Sequence, residues 1–479
     1  MGEAVRHELA GVLDLRAFAR LRCEWTQLAN DSPNHSQSLT YEYCELAAAA
    51  ALAKQAKLYV IKIYDDRGLV LLWPISVRRD GLVRVARDLR SDSGEEYGGP
   101  LLRALAADEV LREAVRALTR IDADLFELAW VDDGSALQKL IEATAQPWII
   151  RHAPRRIRSA PGGEGMPRYT IRFAGFASWQ EFVATRAHSV RRQHNNRLRK
   201  LLREQQDIEF GWCRRADEAE TVLTWLFANK RDWAEARGFR TAYLMRPEMR
   251  DFCIAMARRT DLATVPLVSF VKVGGRPIAA SFNLVGPKSL EFFITTYDRS
   301  FHPYSPGILL LTYVAQWACE NGRDFDMRYL HVEYKAHWAN YTVLCRRHAV
   351  FLARGNAAAA MSLAGLAVGK IFASCRRRVS AIPWRPRAAS ARRLAEDDRE
   401  IVGRHRDRFS QFKAMLGGKV RHLVQAAQPP GRIARLQARI ESEVGGRGLD
   451  ARLDIGAIEE QNAAGRQHAP GPGHQPLGR

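Results

Sequence analysis

The chain has few cysteines for its length, and they lie far apart. Its 479 residues include seven, an odd number, and no two of them form a Cys-x-x-Cys pair. This spacing excludes a disulfide framework and does not indicate a zinc site. We therefore expect free thiols, and we predict no metal site.

Long apolar runs are also missing. Although 47% of the residues are hydrophobic, no stretch approaches the roughly 18 apolar residues of a membrane-spanning helix. The N-terminal segment of the sequence contains acidic residues and lacks a central apolar run, which is not the pattern of a secretory signal. We expect a cytoplasmic location, with peripheral contact at the inner membrane face left open.

Several catalytic motifs do not occur. The sequence has no Gly-x-Ser-x-Gly elbow, no Walker A loop, no Gly-x-Gly-x-x-Gly and no His-Glu-x-x-His. Serine-hydrolase, P-loop, dinucleotide-binding and zinc-protease chemistries of the usual kinds are thereby set aside.

Acidic residues are too few to balance the basic ones. The chain has 53 acidic and 73 basic residues, a net charge of +20, and residues 370–479 alone have 22 basic and 11 acidic residues, a net charge of +11. Such a surplus is typical of a solvated tail or of contact with an anionic membrane, an acidic partner or nucleic acid. Few aromatic residues interrupt this segment, so nucleic acid is not the expected partner.

One order of elements occurs twice along the chain. Residues 1–150 are predicted to form helices, a hairpin turning at 65–68, a further helix and a strand, with Pro74 indicating an edge strand or a bulge. The second segment repeats that order. Its predicted helices are 178–205, 216–237, 246–260 and 306–320, its hairpin turns at Gly274-Gly275, and its later strands are 289–297, 323–328 and 344–353.

This repetition predicts two tandem halves followed by a basic extension. The predicted boundaries are 1–150 for the first half, 151–168 for an Arg/Pro/Gly-rich linker, 169–355 for the second half, 356–427 for a basic helical extension and 428–479 for a disordered tail.

The most informative stretch is Leu290–Lys335. A strand rich in aromatic and β-branched residues leads through Ser305-Pro306-Gly307 into an amphipathic helix that stops at Asn321-Gly322. A glycine turn at a helix N-terminus leaves backbone N–H groups that bind phosphate or pyrophosphate. Taken by itself, the same pattern also fits a βαβ unit without a ligand.

Three elements in fixed order carry a resemblance to a known family. They are the basic helix beginning His188-Ser189-Val190-Arg191-Arg192, the strand pair ending at Asp298, and Tyr304–Leu310 followed by Asp326 and Tyr334-Lys335. In these features the chain resembles GNAT-superfamily acyltransferases of the CelD-like (cellulose-biosynthesis protein) group, which is related to the Fem-type aminoacyltransferases of peptidoglycan synthesis. That group usually carries glycine between the Asp and the Tyr-Lys pair, whereas 327–333 contain none here.

The resemblance implies both a fold and an activity. The expected fold is α+β, with tandem GNAT-like halves that each form a mixed, mostly antiparallel sheet flanked by helices. The expected activity is acyl-CoA-dependent N- or O-acyl transfer, with acetyl-CoA or a longer acyl-CoA as co-substrate. The acceptor is expected to be a small molecule or glycan precursor related to envelope polysaccharide or exopolysaccharide. A Fem-like aminoacyltransferase that uses charged tRNA and an inactive GNAT-fold binding protein of an envelope polysaccharide complex are the alternatives.

Site residues follow from these roles. The candidates for contacting the cofactor phosphates are Tyr304, Ser305, Gly307, Ile308 and Leu309, and those for contacting the thioester are Phe293, Ile294 and Thr295. For the general base, Asp326, His331 and Glu333 stay open as alternatives. The candidates for contacting the acceptor are Tyr334, Lys335, Arg191 and Arg192, with solvated basic side chains as the alternative for the last three.

Overall fold

The computed structural model describes residues 6–32, 35–80, 83–91, 93–103, 108–139, 149–152, 166–236, 242–329 and 331–351. Fourteen strands in these ranges form one mixed sheet, and helices cover it, which confirms the predicted fold class. The extension and tail predicted over 356–479 lie outside the described residues.

The first half begins the sheet. Its strands are β1 (Arg6–Val12), β2 (Lys57–Asp65), β3 (Gly68–Asp80), β4 (Val83–Asp88), β5 (Leu101–Leu102), β6 (Leu125–Asp132) and β7 (Ile149–His152). Its helices are α1 (Leu15–Ala19), α2 (Arg22–Asn30), α3 (Tyr41–Ala53) and α4 (Asp108–Leu118).

The second half completes it. Its strands are β8 (Met166–Ile171), β9 (Ile208–Trp212), β10 (Val268–Val273), β11 (Arg276–Val285), β12 (Ser289–Tyr297), β13 (Asp324–Tyr329) and β14 (Tyr341–Phe351). Its helices are α5 (Trp179–Ala184), α6 (His188–Glu204), α7 (Ala216–Glu235), α8 (Ala242–Met245), α9 (Glu248–Ala257), α10 (Pro306–Glu320) and α11 (Glu333–Trp338).

The strand order repeats between the two halves. Across the sheet it is β1-β2-β3-β4-β6-β14-β8-β13-β12-β11-β10-β9. The five strands at one end therefore mirror the five at the other, and in each set the one parallel pair is the innermost, β4 with β6 and β12 with β13. The predicted boundaries of the halves stay predictions, with β7 and β8 reaching into the two ends of the 151–168 linker.

One of the two central strands joins the halves. β14, at the end of the second half, pairs antiparallel with β6 of the first half and with β8 of its own half, and β8 pairs antiparallel with β13. Because β14 covers the edge of the first half at β6, one sheet runs through both halves.

Apolar side chains form cores on the faces of this sheet. One core joins α1–α3 of the first half to α7 and α9 of the second, and Phe18, Trp25, Tyr43 and Phe252 are among its residues. Helix α4 packs on the strands of the first half, and α10 packs together with α5 and α6 on the strands of the second half. Burial of this shared core holds the halves together.

The turn residues shape both predicted hairpins. Gly68, with φ 106°, closes β2–β3, where the Asp65 carboxylate accepts from the Arg67 N–H at 2.9 Å. Gly274 and Gly275, with φ of 55° and 71°, close β10–β11. The edge expected from Pro74 was wrong, because β3 lies between β2 and β4 and the Pro74 carbonyl accepts from the Leu89 N–H at 2.9 Å.

One further prediction of secondary structure needed correction. The single helix predicted over 178–205 is two helices, α5 and α6, because the chain leaves helical geometry at 185–187. The end of the stretch Leu290–Lys335 forms the start of a further helix, α11. Among the described residues, no helix is long and apolar enough to cross a membrane.

Candidate functional site

Strands β12 and β13 separate part of the way along their length. Their parallel register covers three residue pairs and ends at Glu291 opposite Asp326, although β12 continues to Tyr297. On its other side β12 stays paired with β11 up to Tyr297. The open side of β12 therefore has no strand partner from Phe292 onward in the described sheet, and the predicted contacts Phe293, Ile294 and Thr295 all lie in this open part.

The N-terminus of α10 stands at the far end of the same strand. A 3₁₀ turn, Arg299–Tyr304, leads to Ser305, whose φ of 50° is left-handed, and Pro306 then begins the helix. An added Cβ at Gly307 would lie 3.4 Å from Cδ1 of Tyr297. The helix start thus packs directly on the last residue of β12.

Among the residues predicted to donate backbone hydrogen bonds to phosphate, Gly307 differs from Ile308 and Leu309. The N–H groups of Ile308 and Leu309 both donate to the Ser305 carbonyl, at 3.0 and 3.3 Å. Gly307 has no backbone acceptor among the described residues, and Pro306 has no N–H. The positive end of the helix dipole and the Gly307 N–H therefore point out of the helix together.

The basic helix α6 runs beside this helix start. Near its end, the Lys200 ammonium lies 5.4 Å from the ring centre of Tyr304, and the Tyr304 hydroxyl donates to Glu204 at 3.2 Å. Arg191 and Arg192 lie about 13 Å further back along α6, at 1.5 Å per residue. The structure thus brings Lys200 to the helix start, and it places the two predicted arginines towards the opposite end of α6.

Asp326 is fully buried at the junction of the two halves. Its carboxylate binds the Arg168 guanidinium at 2.8 Å and accepts from the Tyr97 hydroxyl at 3.2 Å. Arg168, on β8, also binds Asp132 of β6 at 2.8 Å. This motif position therefore ties β13 to β8, through Arg168 to β6, and to Tyr97 of the first half.

Arg328 fills the base of the opening between β12 and β13. Its guanidinium pairs with the buried carboxylate of Glu291, and its Cζ lies 4.0 Å from the ring centre of Tyr97 and 5.0 Å from that of Phe293. Burial raises the pKa of Glu291, while the Arg328 charge lowers it. One cation thus joins β13, the open part of β12 and the first half.

The remaining predicted residues surround the end of β13. The His331 ring contacts the hydroxyl of Tyr169, whose pKa burial raises to about 12. Glu333 is exposed on α11, 3.7 Å from His337. Lys335 is buried and donates to the Tyr329 carbonyl at 3.2 Å, so it is not a solvated lysine. Tyr334 packs against the core beneath α10.

The equivalent opening in the first half is filled by the chain itself. The β4–β6 register ends at Arg87 opposite Glu127, but the Gly98 N–H then donates to the Ala129 carbonyl at 2.5 Å. An added Cβ at Gly98 would lie 2.5 Å from that same oxygen, so only glycine fits there. Gly99 also donates to Asp88 at 3.2 Å. A ligand slot of the β12–β13 kind is therefore closed in the first half.

Sequence patterns gave no indication of two of these contributors. Tyr97 comes from a loop of the first half, more than 200 residues from Asp326, and no motif marked it. Lys230, on α7, donates to the Thr295 carbonyl at 2.8 Å and holds the open part of β12. Because Lys230 lies in an ordinary amphipathic helix, the sequence pattern did not indicate this contact with β12.

Comparison with known proteins agrees with the location of the site. Residues 188–336 match a family model described as an acetyltransferase (GNAT) domain, and this range contains α6, β12, α10 and β13. The opening and the helix start thus lie within a GNAT-type acetyltransferase domain. A comparison with curated proteins gave no match.

Solved structures show low-level similarity over most of the chain. A conserved protein of unknown function from Bacteroides thetaiotaomicron is 11% identical, with 72% of this chain and 100% of that chain covered and a TM-score of 0.45. FemX is 9% identical, with coverage of 72% and 97% and a TM-score of 0.39. A tandem GNAT protein from the clavulanic acid biosynthesis pathway is 11% identical, with coverage of 73% and 100% and a TM-score of 0.36.

Proposed function

We propose that the second half transfers an acyl group from acetyl-CoA or a longer acyl-CoA to a nitrogen or oxygen of an acceptor. One observation carries this proposal: β12 and β13 separate after Glu291, and the start of α10 stands at the Tyr297 end of the opening. An acyl-CoA has a charged phosphate end and an extended arm that ends in a thioester. The site offers an anion-binding helix start next to a slot along a strand.

The phosphates would bind at the start of α10. The Gly307 N–H and the helix dipole supply positive potential there. Lys200 lies beside Tyr304 on the neighbouring helix and adds a positive charge, 4.0 Å from the Glu204 carboxylate. An added Cβ at Gly307 would already touch the Tyr297 ring at 3.4 Å, so the absence of a side chain at this residue leaves the approach open.

The thioester would lie along the open part of β12. Backbone groups of Phe293, Ile294 and Thr295 have no partner strand on that side among the described residues. N–H groups fixed in a strand stabilise the oxyanion that forms when a nucleophile attacks a thioester carbonyl. Lys230 holds this segment through the Thr295 carbonyl and so limits its movement.

The acceptor class rests on the resemblance to CelD-like proteins. We propose an envelope-related or exopolysaccharide-related acceptor, such as a small molecule or a glycan precursor. The proposed contacts are the exposed Arg192 and the partly buried Arg191 on α6, together with Tyr334 near the end of β13. His331, Glu333 and Asp326 remain proposed proton-transfer or positioning residues. Contact with a membrane surface through the basic segment after residue 356 is part of the same proposal.

Calorimetric titration with acetyl-CoA and with longer acyl-CoAs tests this function. We expect binding with about one molecule per chain, because the equivalent opening in the first half is filled by Gly98. Acetyl-pantetheine, which has the thioester arm but lacks the nucleotide phosphates, should bind at least about tenfold more weakly if the start of α10 holds the phosphates, which corresponds to about 1.4 kcal/mol. Absence of binding to every acyl-CoA would overturn the proposal.

The same experiment separates the alternatives. Binding of aminoacyl-tRNA in place of acyl-CoA would identify a Fem-like aminoacyltransferase. Binding of acyl-CoA with no thiol release in the presence of envelope glycan precursors would identify an inactive GNAT-fold binding protein. Thiol release that depends on such a precursor supports the acyltransferase.

A further inference from the structure

A loop of the first half closes over the end of β13. This bridging loop, residues 89–100, joins β4 to β5. The carbonyl of Glu95 within it accepts hydrogen bonds from the Arg328 guanidinium and, at 3.3 Å, from the Tyr329 hydroxyl. Arg347 of β14 donates to the Gly94 carbonyl at 3.1 Å. Three contacts from the second half therefore fix the bridging loop at Gly94 and Glu95.

The same contacts set the Glu95 backbone close to the proposed thioester site. The Arg328 guanidinium that reaches the Glu95 carbonyl also lies over Phe293, in the open part of β12. One side chain thus spans the distance from the bridging loop to the strand along which the thioester would lie.

The Glu95 carboxylate is unusual among the acidic groups of this region. It is only partly buried, and no hydrogen bond or ion pair engages it within the described ranges. Its neighbour Glu96, in contrast, accepts from the Tyr43 hydroxyl at 2.5 Å and from the Ser91 N–H at 2.8 Å. Asp326 is neutralised by Arg168, and Glu333 is exposed on α11. Of these four acidic residues, Glu95 alone combines partial burial, a carboxylate without a partner in the described ranges, and a backbone held by the Arg328 side chain that lies over Phe293.

Charged groups from every neighbouring element act on this carboxylate. Burial raises the pKa of Glu95 and outweighs the opposing charges of Arg347 on β14, Arg328 on β13 and Arg90 in the bridging loop, while Glu96 raises the pKa further. Across the gap, the pKa of Tyr243 on α8 is raised by burial and also by the Glu95 charge, so α8 faces the carboxylate. A carboxylic acid whose pKa is raised towards neutrality is a more effective proton acceptor.

We propose that Glu95, contributed by the first half, is the general base that deprotonates the acceptor in the cleft of the second half. This rests on the proposed acyl transfer. The acceptor nitrogen or oxygen forms a bond to the thioester carbon, the carbon–sulfur bond breaks, and the acceptor's proton passes to the Glu95 carboxylate. The CoA thiolate leaves with the bonding electron pair, and the proton on Glu95 returns to the thiolate or to water. The pairing of β14 with β6 would then serve to bring a base from one half to the acyl donor of the other.

The test compares Glu95→Gln with Glu235→Gln in the full chain. Glu235 is an exposed glutamate at the end of α7 and provides a charge-matched control. Thiol release from acetyl-CoA is followed with ethylamine, which is protonated at pH 7, and with hydroxylamine, which is not. We expect Glu95→Gln to lower the ethylamine rate about 10²–10⁴-fold, the hydroxylamine rate much less, and the acetyl-CoA Kd not at all.

The pH profile gives a second readout. The ratio of the wild-type rate to the Glu95→Gln rate should rise with pH as Glu95 ionises, because only the carboxylate form accepts a proton. The ratio is used because the ionisation of the amine probe affects both rates equally and cancels. An unchanged rate, or an equal loss with both amines together with a lowered Tm, would overturn the assignment. So would acetyl-CoA binding by the wild type without thiol release, whereas failure to bind acetyl-CoA would overturn the proposed function itself.

Discussion

Arg328 occupies a backbone conformation that favours glycine. Its φ of 69° is left-handed, and such a conformation in a non-glycine residue costs of the order of 1–3 kcal/mol. It stands in the interval where the resembled acyltransferases usually carry glycine. The ion pair with Glu291 and the hydrogen bond to the Glu95 carbonyl explain why arginine is kept here, since glycine would relieve the strain but leave a buried carboxylate without its cation.

Gly307 is the residue at which phosphate binding is tested most directly. We expect Gly307→Asp to weaken acyl-CoA binding by at least about tenfold, or about 1.4 kcal/mol, because a carboxylate would occupy and repel the phosphate position. The fold should persist, since an acidic residue in the first turn of a helix is favourable in itself. Calorimetric titration with acetyl-CoA measures the loss, and circular dichroism checks the fold.

Gly307→Ala is the matched control for that change. Its added Cβ would lie 3.4 Å from the Tyr297 ring, close to an ordinary van der Waals contact, and it adds no charge. Binding by the alanine variant should stay within a few-fold of wild type. If the aspartate variant binds acetyl-CoA as tightly as the alanine variant does, the phosphates bind elsewhere.

At the scale of elements, helix α6 is fixed to α10 by a half-buried histidine. His194 Nε2 lies 2.9 Å from Oγ1 of Thr312, and its ring meets the edge of Trp338. The prediction of one helix over 178–205 missed this, because the break at 185–187 turns α6 onto the second half. Hydrophobic periodicity describes a helix face but does not locate such a break.

This histidine makes stability depend on pH. Burial lowers the pKa of His194, so the unfolded chain binds that proton more readily than the folded one. The stabilisation is complete above the ordinary histidine pKa of about 6.5 and is lost as pH falls towards the lowered value. In the wild type, the free energy of unfolding should therefore fall between about pH 7.5 and about pH 5.5. We expect this fall to be smaller in His194→Gln, as measured by urea titrations at the two pH values.

His35 serves as an internal reference for that measurement. Burial also lowers its pKa, so part of the pH dependence should remain in the His194 variant. A double variant with His35→Gln should flatten the profile further. A His194→Gln profile that superimposes on the wild type would show that this histidine does not contribute.

At the scale of the whole molecule, the pairing of β14 with β6 decides the architecture. Without it, β6 of the first half and β14 of the second would each be an edge strand, whereas their pairing makes one sheet. This continuous sheet brings Arg168, Asp132 and Tyr97 around Asp326. It also sets the bridging loop over β13, which is the basis for a base supplied by the other half.

The segment after residue 378 is expected to act outside the catalytic halves. Truncation after Arg378 should keep acetyl-CoA affinity, because every residue proposed to contact the acyl-CoA lies within 188–336. It should reduce salt-sensitive binding to vesicles that contain anionic lipid, because most of the net charge of +11 counted over 370–479 is lost and such attraction is screened over about 8 Å at physiological salt. Sedimentation with vesicles at low and high salt measures this, with neutral vesicles as the control. An unfolded truncated chain would show that the segment belongs to the core.

The sequence by itself determined the local elements and the position of the proposed donor site. The pair Gly274-Gly275 predicted the hairpin turn, and Ser305-Pro306-Gly307 predicted the start of α10. Both could be read from the sequence because left-handed turns and helix starts favour particular residue types. The stretch from Leu290 to Lys335 contained the strand, the helix start and the next strand in the order the structure shows. For the same reason the mixed fold was predictable.

Only the tertiary structure decided what surrounds that site. The order of the sheet, the pairing of β14 with β6, the closed opening at Gly98 and the approach of Glu95 to Arg328 all join residues that are far apart in sequence. Pro74 illustrates the limit, since it lies in an interior strand where its carbonyl accepts from the Leu89 N–H, and its missing N–H did not force that strand to an edge. Pairing between distant segments depends on which edges remain unpaired after the local elements form, and no local pattern contains that information.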